Sequence, residues 1–233
     1  MKIKEMKIKD WIFVGYYTPD KNYPMLAYRM QESVLKQGFG CVIEERPSAI
    51  CNQPPPMPWV LNCAKCAEFC LDMFEKYPGK NIFYLDADAD MIRFPELLIS
   101  PDLPEFDVAA PIVPKTTGVR ELISNSLIFR RTKGAKKVLK AWKVEQEKRI
   151  KYMLAGHYSE PYVAAWDQKV LQDVLESKPE ISFFSLPWEY AKIAPKMGRE
   201  IMDGVDPEKV VIAQKQVSRK NRRYVGTPYD YPV

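Results

Sequence analysis

The sequence predicts a single α/β domain, a mostly parallel sheet with helices on its faces. Three observations lead there. Between residues 11 and 90, apolar runs and helix-like stretches alternate as strand, helix, strand, helix, strand, the pattern of parallel βαβ units. Glycines and prolines mark the joins. The third apolar run ends in three acids, at the strand end where open α/β sheets bind their ligands.

Residues 11–17 read as the first buried strand, and Thr18-Pro19-Asp20 ends it with turn chemistry. Residues 23–37 read as a helix stopped by Gly38 and Gly40. Residues 41–45 are the second strand. Pro54, Pro55, Pro56 and Pro58 keep residues 47–58 in a loop. Residues 59–77 form one helix, broken by Pro78-Gly79, and residues 82–85 the third strand. Further strands are expected at 106–112, at 124–130 (an edge position is open to it) and at 181–186. Residues 134–153 read as a long polar helix with Val138, Leu139 and Trp142 inward, residues 162–175 as another helix, and 210–212 as the last apolar run. With no internal repeat and no linker, residues 1–233 read as one domain, with a basic C-terminal tail from about 215.

The chain has 233 residues, 46% of them hydrophobic, enough for one substantial core and against global disorder. A formal charge of +5 tolerates nucleotides, nucleic acid or an acidic membrane surface without demanding any of them. The five cysteines are odd in number, and Cys63, Cys66 and Cys70 share one helix face, so core packing explains them better than disulfides or a metal cluster. The start of the chain lacks the apolar core of a signal peptide, and no run approaches the ~18 apolar residues of a membrane span. The expectation is a soluble, cytoplasmic protein.

The chemistry concentrates in Ile82-Phe83-Tyr84-Leu85-Asp86-Ala87-Asp88-Ala89-Asp90. Residues two apart in an extended chain point to the same side. If the strand continues, Asp86, Asp88 and Asp90 face one point and repel one another unless protons or a cation offset their charge. A hard divalent ion such as Mg²⁺ or Mn²⁺, which prefers oxygen ligands, is the simplest resolution. The plainer alternative is an acidic turn facing solvent. An EF-hand loop is excluded, because Met91 and Leu97 stand where Gly and Glu are needed. A phosphatase of the haloacid-dehalogenase type, with Asp86 as nucleophile, is a distant alternative. A two-metal polymerase-type site lacks a second acidic strand.

The acids sit in a Y-L-D-A-D-A stretch that resembles the signature of GT-A nucleotide-diphospho-sugar transferases, and the resemblance runs through most of the chain. Tyr17-Thr18 followed by Tyr23 resembles the family's first strand-loop. Trp59, Asn62 and Lys65 resemble its W-x-x-N-x-x-K helix start. Asn125-Ser126 followed by an apolar run resembles N-S-G, with Leu127 in place of Gly. Asp167-Gln168 with Leu171 resembles D-Q-x-x-L, 186–190 resembles L-P-x-E-Y, and 214–219 resembles H-x-Q-x-S-R with Gln214 in place of His.

The resemblance implies a glycosyltransferase that binds Mn²⁺ or Mg²⁺ and a nucleoside diphosphate sugar, UDP-sugar favoured. By it, Asp88 binds metal, and Asp86 contacts ribose or a metal-bound water. The alternative register Asp88 and Asp90 stays open. Gln214 offers a neutral oxygen where the family has histidine. Thr18, Tyr23, Asn62, Lys65, Asn125, Lys215 and Arg219 are candidates on the donor side. Lys65 reads equally as a solvated lysine, Asn62 as a helix cap, and Tyr16, Tyr17 and Tyr23 as packed aromatics. Asp167 is the candidate base for the acceptor hydroxyl, provided burial raises its ordinary pKa of about 4. His157 reads as a surface or capping histidine. The acceptor is a glycan, a protein, or a hydroxymethylated pyrimidine in DNA of the kind some viral enzymes modify. Lys215, Arg219, Lys220, Arg222 and Arg223 would serve a nucleic acid or clamp the diphosphate. A non-catalytic nucleic-acid-binding domain is the second alternative.

Overall fold

The computed structural model describes residues 7–20, 22–49, 57–114, 120–157, 164–193 and 205–215. Its main sheet contains β1 (Trp11–Tyr17), β2 (Gly40–Glu45), β3 (Asn81–Leu85), β5 (Val108–Pro114), β6 (Arg120–Leu122), β7 (Ser126–Phe129) and β8 (Phe183–Leu186). The order is β2-β1-β3-β7-β5-β6, with β8 also on β5. β1 runs parallel to both β2 and β3, and β5 parallel to β8. β7 is antiparallel to β3 and to β5, and β6 is antiparallel to β5. The sheet is therefore parallel apart from the reversed segment β6–β7. A second sheet of three strands, in the order β4-β10-β9, joins β4 (Ala89–Met91), β9 (Lys192–Ile193) and β10 (Ile212–Gln214).

Alternation along the central strands sorts the core into two layers. Ile12, Val14, Ile82 and Tyr84 pack with Phe69, Cys70, Phe74, Leu139 and Trp142, under helices α3 (Lys65–Lys76), α4 (Lys133–Leu154) and α5 (Asp167–Glu176). Trp11, Phe13, Phe83 and Leu85 pack on the other face with Met30 and Val34 of α1 (Tyr23–Lys36) and with Ala89, Met91 and Ile212 of the small sheet. Gly15 is required between them. A Cβ there would sit 2.9 Å from the carbonyl oxygen of Leu85 and 2.5 Å from Met30 Cε.

Several expectations are corrected. The acids do not continue a strand: β3 ends at Leu85, the chain turns through Asp86–Asp88, and Asp90 belongs to the second sheet. The helix expected over 59–77 is two, α2 (Met57–Cys63) and α3, because the Tyr16 hydroxyl donates to the carbonyls of Asn62 (2.9 Å) and Cys63 (3.3 Å) at the joint. The strand at 124–130 is not an edge: β7 is fully buried between β3 and β5. The helix expected at 162–175 is α5, with Asp167 as its first residue; residues 162 and 163 lie outside the described ones. Thr132 caps α4, its Oγ1 accepting from the Ala135 N–H at 3.0 Å. Cys66 and Cys70 lie in the core with sulfurs 3.9 Å apart, and His157 is exposed with its ring against Tyr152. The basic tail from residue 216, with Arg219, lies outside the described residues.

Candidate active site

The site forms where β3 gives out. Leu85 is paired with Ser126, and the next backbone N–H, that of Asp86, donates to the Asn125 carbonyl at 3.1 Å. The Ala89 N–H donates back to the Asp86 carbonyl at 3.0 Å, closing a tight turn. Ala87, at its tip, packs against Tyr17, Ala27 and Tyr23, which seats the turn on the end of β1 and the start of α1. β10 holds the other side. Gln214 pairs with Ala89, and the Lys215 N–H donates to the Asp88 carbonyl at 3.2 Å.

The three acids are unequal. Asp88 is buried. Asp86 is partly exposed, yet its carboxyl is closely surrounded by protein. Burial first, the neighbouring Asp88 second, and Asp167 further off push its pKa up to about 8, against the pull of the Tyr84 hydroxyl, which donates to Oδ1 at 2.8 Å. Asp90 is taken by cations. Arg29 of α1 grips both its oxygens, with Nε to Oδ1 at 2.8 Å, and Lys215 Nζ lies 3.4 Å from Oδ2. Asp90 is thus held by Arg29 and Lys215, while Asp86 and Asp88 act on one another. Among the described residues, no group of three or more His, Cys, Asp or Glu side chains is arranged to hold a metal.

Neutral oxygens complete the surroundings. Gln214 is buried, and its amide nitrogen donates to the Asn125 carbonyl at 3.1 Å. This fixes which end is oxygen and leaves Oε1 without a hydrogen-bond partner among the described residues. Asn125 Oδ1 and Ser126 Oγ are likewise buried and unpartnered. An unpaired buried polar atom is costly, and the backbones of the three residues that carry these atoms flank the acid turn. The residues fit a hard cation: oxygen donors, a carboxyl pair in which burial and Asp88 resist the charge on Asp86, and acceptors lacking donors.

Asp167 starts α5 and is buried. Burial raises its pKa to about 6, while hydrogen bonds from Ser124 and from the backbone N–H groups of Gln168 and of Asp167 itself pull the other way. Its carbonyl accepts from Trp142 Nε1 at 3.1 Å, and Gln168 donates to Glu121 at 2.8 Å. The charge of Asp167 acts on Asp86 more weakly than burial or Asp88 does.

The remaining candidates divide. Thr18 is buried at the end of β1, and Tyr23 packs beside the acid turn. Asn62 serves the scaffold: its Oδ1 accepts from the Ala49 N–H at 2.7 Å. Lys65 lines a groove of about 140 Å³ between α3 and α4, with Glu68, Lys143 and Glu147, and no donor-side candidate shares that lining. Tyr84 and Ser124 were missed as partners of the acids. Tyr84 was visible in principle, two residues before Asp86 on an extended run; Ser124 and Arg29 carried no such signal.

No family model matches the chain, and no curated protein matches it either. Solved structures do. A glycosyltransferase involved in the glycosylation of the major capsid of PBCV-1 superposes with a TM-score of 0.56 at 14% identity, over 91% of this chain and 96% of that one. The glycosyltransferase GlyE of Streptococcus pneumoniae TIGR4 superposes with a TM-score of 0.54 at 16% identity, over 88% of this chain and 54% of that one. The fold is that of the GT-A glycosyltransferases. In a GT-A frame the acid turn lies at the carboxyl end of the central parallel strands, as the sequence led one to expect. The phosphatase and the non-catalytic nucleic-acid-binding alternatives gain no support from this architecture.

Proposed function

We propose that the protein is a metal-dependent glycosyltransferase that moves a sugar from a nucleoside diphosphate sugar, a UDP-sugar, to an acceptor hydroxyl. The observation that carries this reading is the Asp86–Asp88 turn at a strand end of a GT-A fold, with Asp88 buried and the Asp86 carboxyl closely surrounded by protein. Asp86, Asp88 and Gln214 Oε1 would hold Mn²⁺ or Mg²⁺. Bound there, the cation supplies positive charge for the diphosphate that departs when the sugar bond breaks.

The chain's own residues do the rest. Tyr84 holds Asp86 in place, and Asn125 orients the Gln214 amide. Tyr23 packs beside the acid turn and Thr18 follows Tyr17 of the same cluster, and both would meet the nucleoside. Lys215, fixed to the turn through its backbone and loosely paired with Asp90, is positioned to turn its ammonium toward a phosphate. Asp167 takes the proton from the incoming hydroxyl. A carboxyl whose pKa is raised to about 6 is better suited to that task than an ordinary one. The acceptor is a glycan or protein hydroxyl. The capsid-glycosylating enzyme among the structural neighbours favours this over a DNA base.

The test is donor hydrolysis. A panel of nucleotide sugars, with and without Mn²⁺, is read by nucleoside diphosphate release, alone and with glycan, protein and hydroxymethylated-DNA acceptors. Metal-dependent release from a UDP-sugar is expected. Absence of release from every donor with every acceptor would sink the reading.

A further inference from the structure

Helix α4 carries eight basic residues and only two acidic ones, Glu145 and Glu147, so its positive excess is larger than the +5 of the whole chain. Lys133, Lys137, Lys140, Val144, Lys148 and Lys151 follow one another at spacings of three or four, which aligns them on one face. All are exposed. The stripe runs the length of a 22-residue helix, ~33 Å at 1.5 Å per residue.

Carboxylates pair with two lysines of the stripe and with its flanks. Glu180 meets Lys137, Glu75 meets Lys136 (3.6 Å), and Glu68 meets Lys143 (3.0 Å). Glu145 meets Lys148 and Arg149, and Asp173 meets Arg149. Exposed pairs of this kind hold their lysines weakly. Among the described residues, Lys133, Lys140 and Lys151 have no carboxylate partner. Apolar side chains stand on or beside the same stripe: Val144 is 64% exposed, Tyr152 45% and Leu154 48%. The opposite face, with Val138, Leu139 and Trp142, is fully committed to the core.

We propose that the outer face of α4 docks the protein on a lipid bilayer containing anionic headgroups. Lysines spread along a straight helix attract such a surface, and apolar or aromatic side chains between them enter the headgroup boundary. A nucleic acid would use the same lysines but would give Val144 and Leu154 nothing to bury against. The proposal stands apart from the catalytic reading, since no residue of the stripe borders the acid turn.

The test is co-sedimentation of the full chain with vesicles of phosphatidylcholine alone or mixed with phosphatidylserine, with duplex DNA binding measured in parallel. The protein binds the mixed vesicles and not the neutral ones. The triple variant K133Q/K140Q/K151Q loses binding by roughly a hundredfold, about fivefold for each lysine. V144S/L154S weakens vesicle binding severalfold while DNA binding stays unchanged. The far-ultraviolet spectrum and the melting temperature confirm that both variants are folded. Undiminished vesicle binding by the triple variant, or by V144S/L154S, overturns the proposal. So does binding to DNA with none to vesicles, which would assign the stripe to nucleic acid.

Discussion

The large sheet and the three-stranded sheet meet at Leu85–Asp86, and different forces hold them. The large one is an apolar sandwich. Phe13 and Phe83 stack at 4.7 Å in its centre, and every side chain of β7 is buried. The small one is two or three residues wide on each strand, and what it positions is polar: Asp88, Asp90, Gln214 and Lys215. A scaffold that packs by hydrophobic burial tolerates the small sheet's poor economics of unpartnered oxygens and crowded acids. Stability and chemistry are thus assigned to different strands, and substitutions should separate them.

The largest effect is expected from Phe13→Ala, which opens a void in the large sheet. It should cost about 3–5 kcal/mol in chemical denaturation, while activity per folded molecule is preserved at low temperature. Asp88→Ala should do the reverse. Nucleoside diphosphate release falls by ~10³-fold, about 4 kcal/mol in the barrier, with unfolding little changed. Equal losses of stability in the two variants would erase the distinction.

Asp86→Asn sharpens it through pH. In the folded protein Asp86 holds its proton up to about 8, against an ordinary 3.8. The stability this proton uptake confers is full below about pH 4 and is lost as pH rises through about 8. Asparagine has no proton to lose. In chelator-treated protein, calorimetry should therefore show Asp86→Asn melting higher than the parent at pH 8, by several degrees at ~2–4 °C per kcal/mol, and level with it at pH 4. Excess Mn²⁺ should raise the parent at pH 8 more than the variant.

Gln214→Leu, similar in size but without the oxygen, should weaken Mn²⁺ binding by ~10-fold in titration calorimetry, within the range for losing a supporting group of a metal site. The mildest effect concerns the acceptor side. The rate under saturating donor should fall as pH drops through about 6, when Asp167 takes up its proton, and Ser124→Ala should move that limb to higher pH by removing a bond that favours the carboxylate. A limb unmoved by Ser124→Ala would separate the titration from Asp167.

The same division explains what could be read from the chain alone. β1, β2, β3 and α4 were legible because each is a continuous local pattern, an apolar run or a capped amphipathic stretch. β4, β6 and β9 are two or three residues long and have no period of their own; only their partners make them strands. The central place of β7 was hidden because direction leaves no mark on an apolar run. At the site, Asp86, Asp88 and Asp167 stood out through spacing and resemblance. Asp90 misled because alternation holds only while a strand continues, and the turn at Ala87–Asp88 ends it. The grip of Arg29 on Asp90 joins positions far apart in sequence, and no local signal announces it.

The pairing of β10 with β4 also sets an order of events. Chains emerge amino end first, so the Asp86–Asp88 turn is made long before its partner strand exists. Until Gln214 arrives beside Ala89, the nascent protein holds a pair of carboxyls with one wall missing. Synthesis lays down the central strands β1 and β3 first, and the acid turn gains its β10 wall only once residues 212–214 have been made.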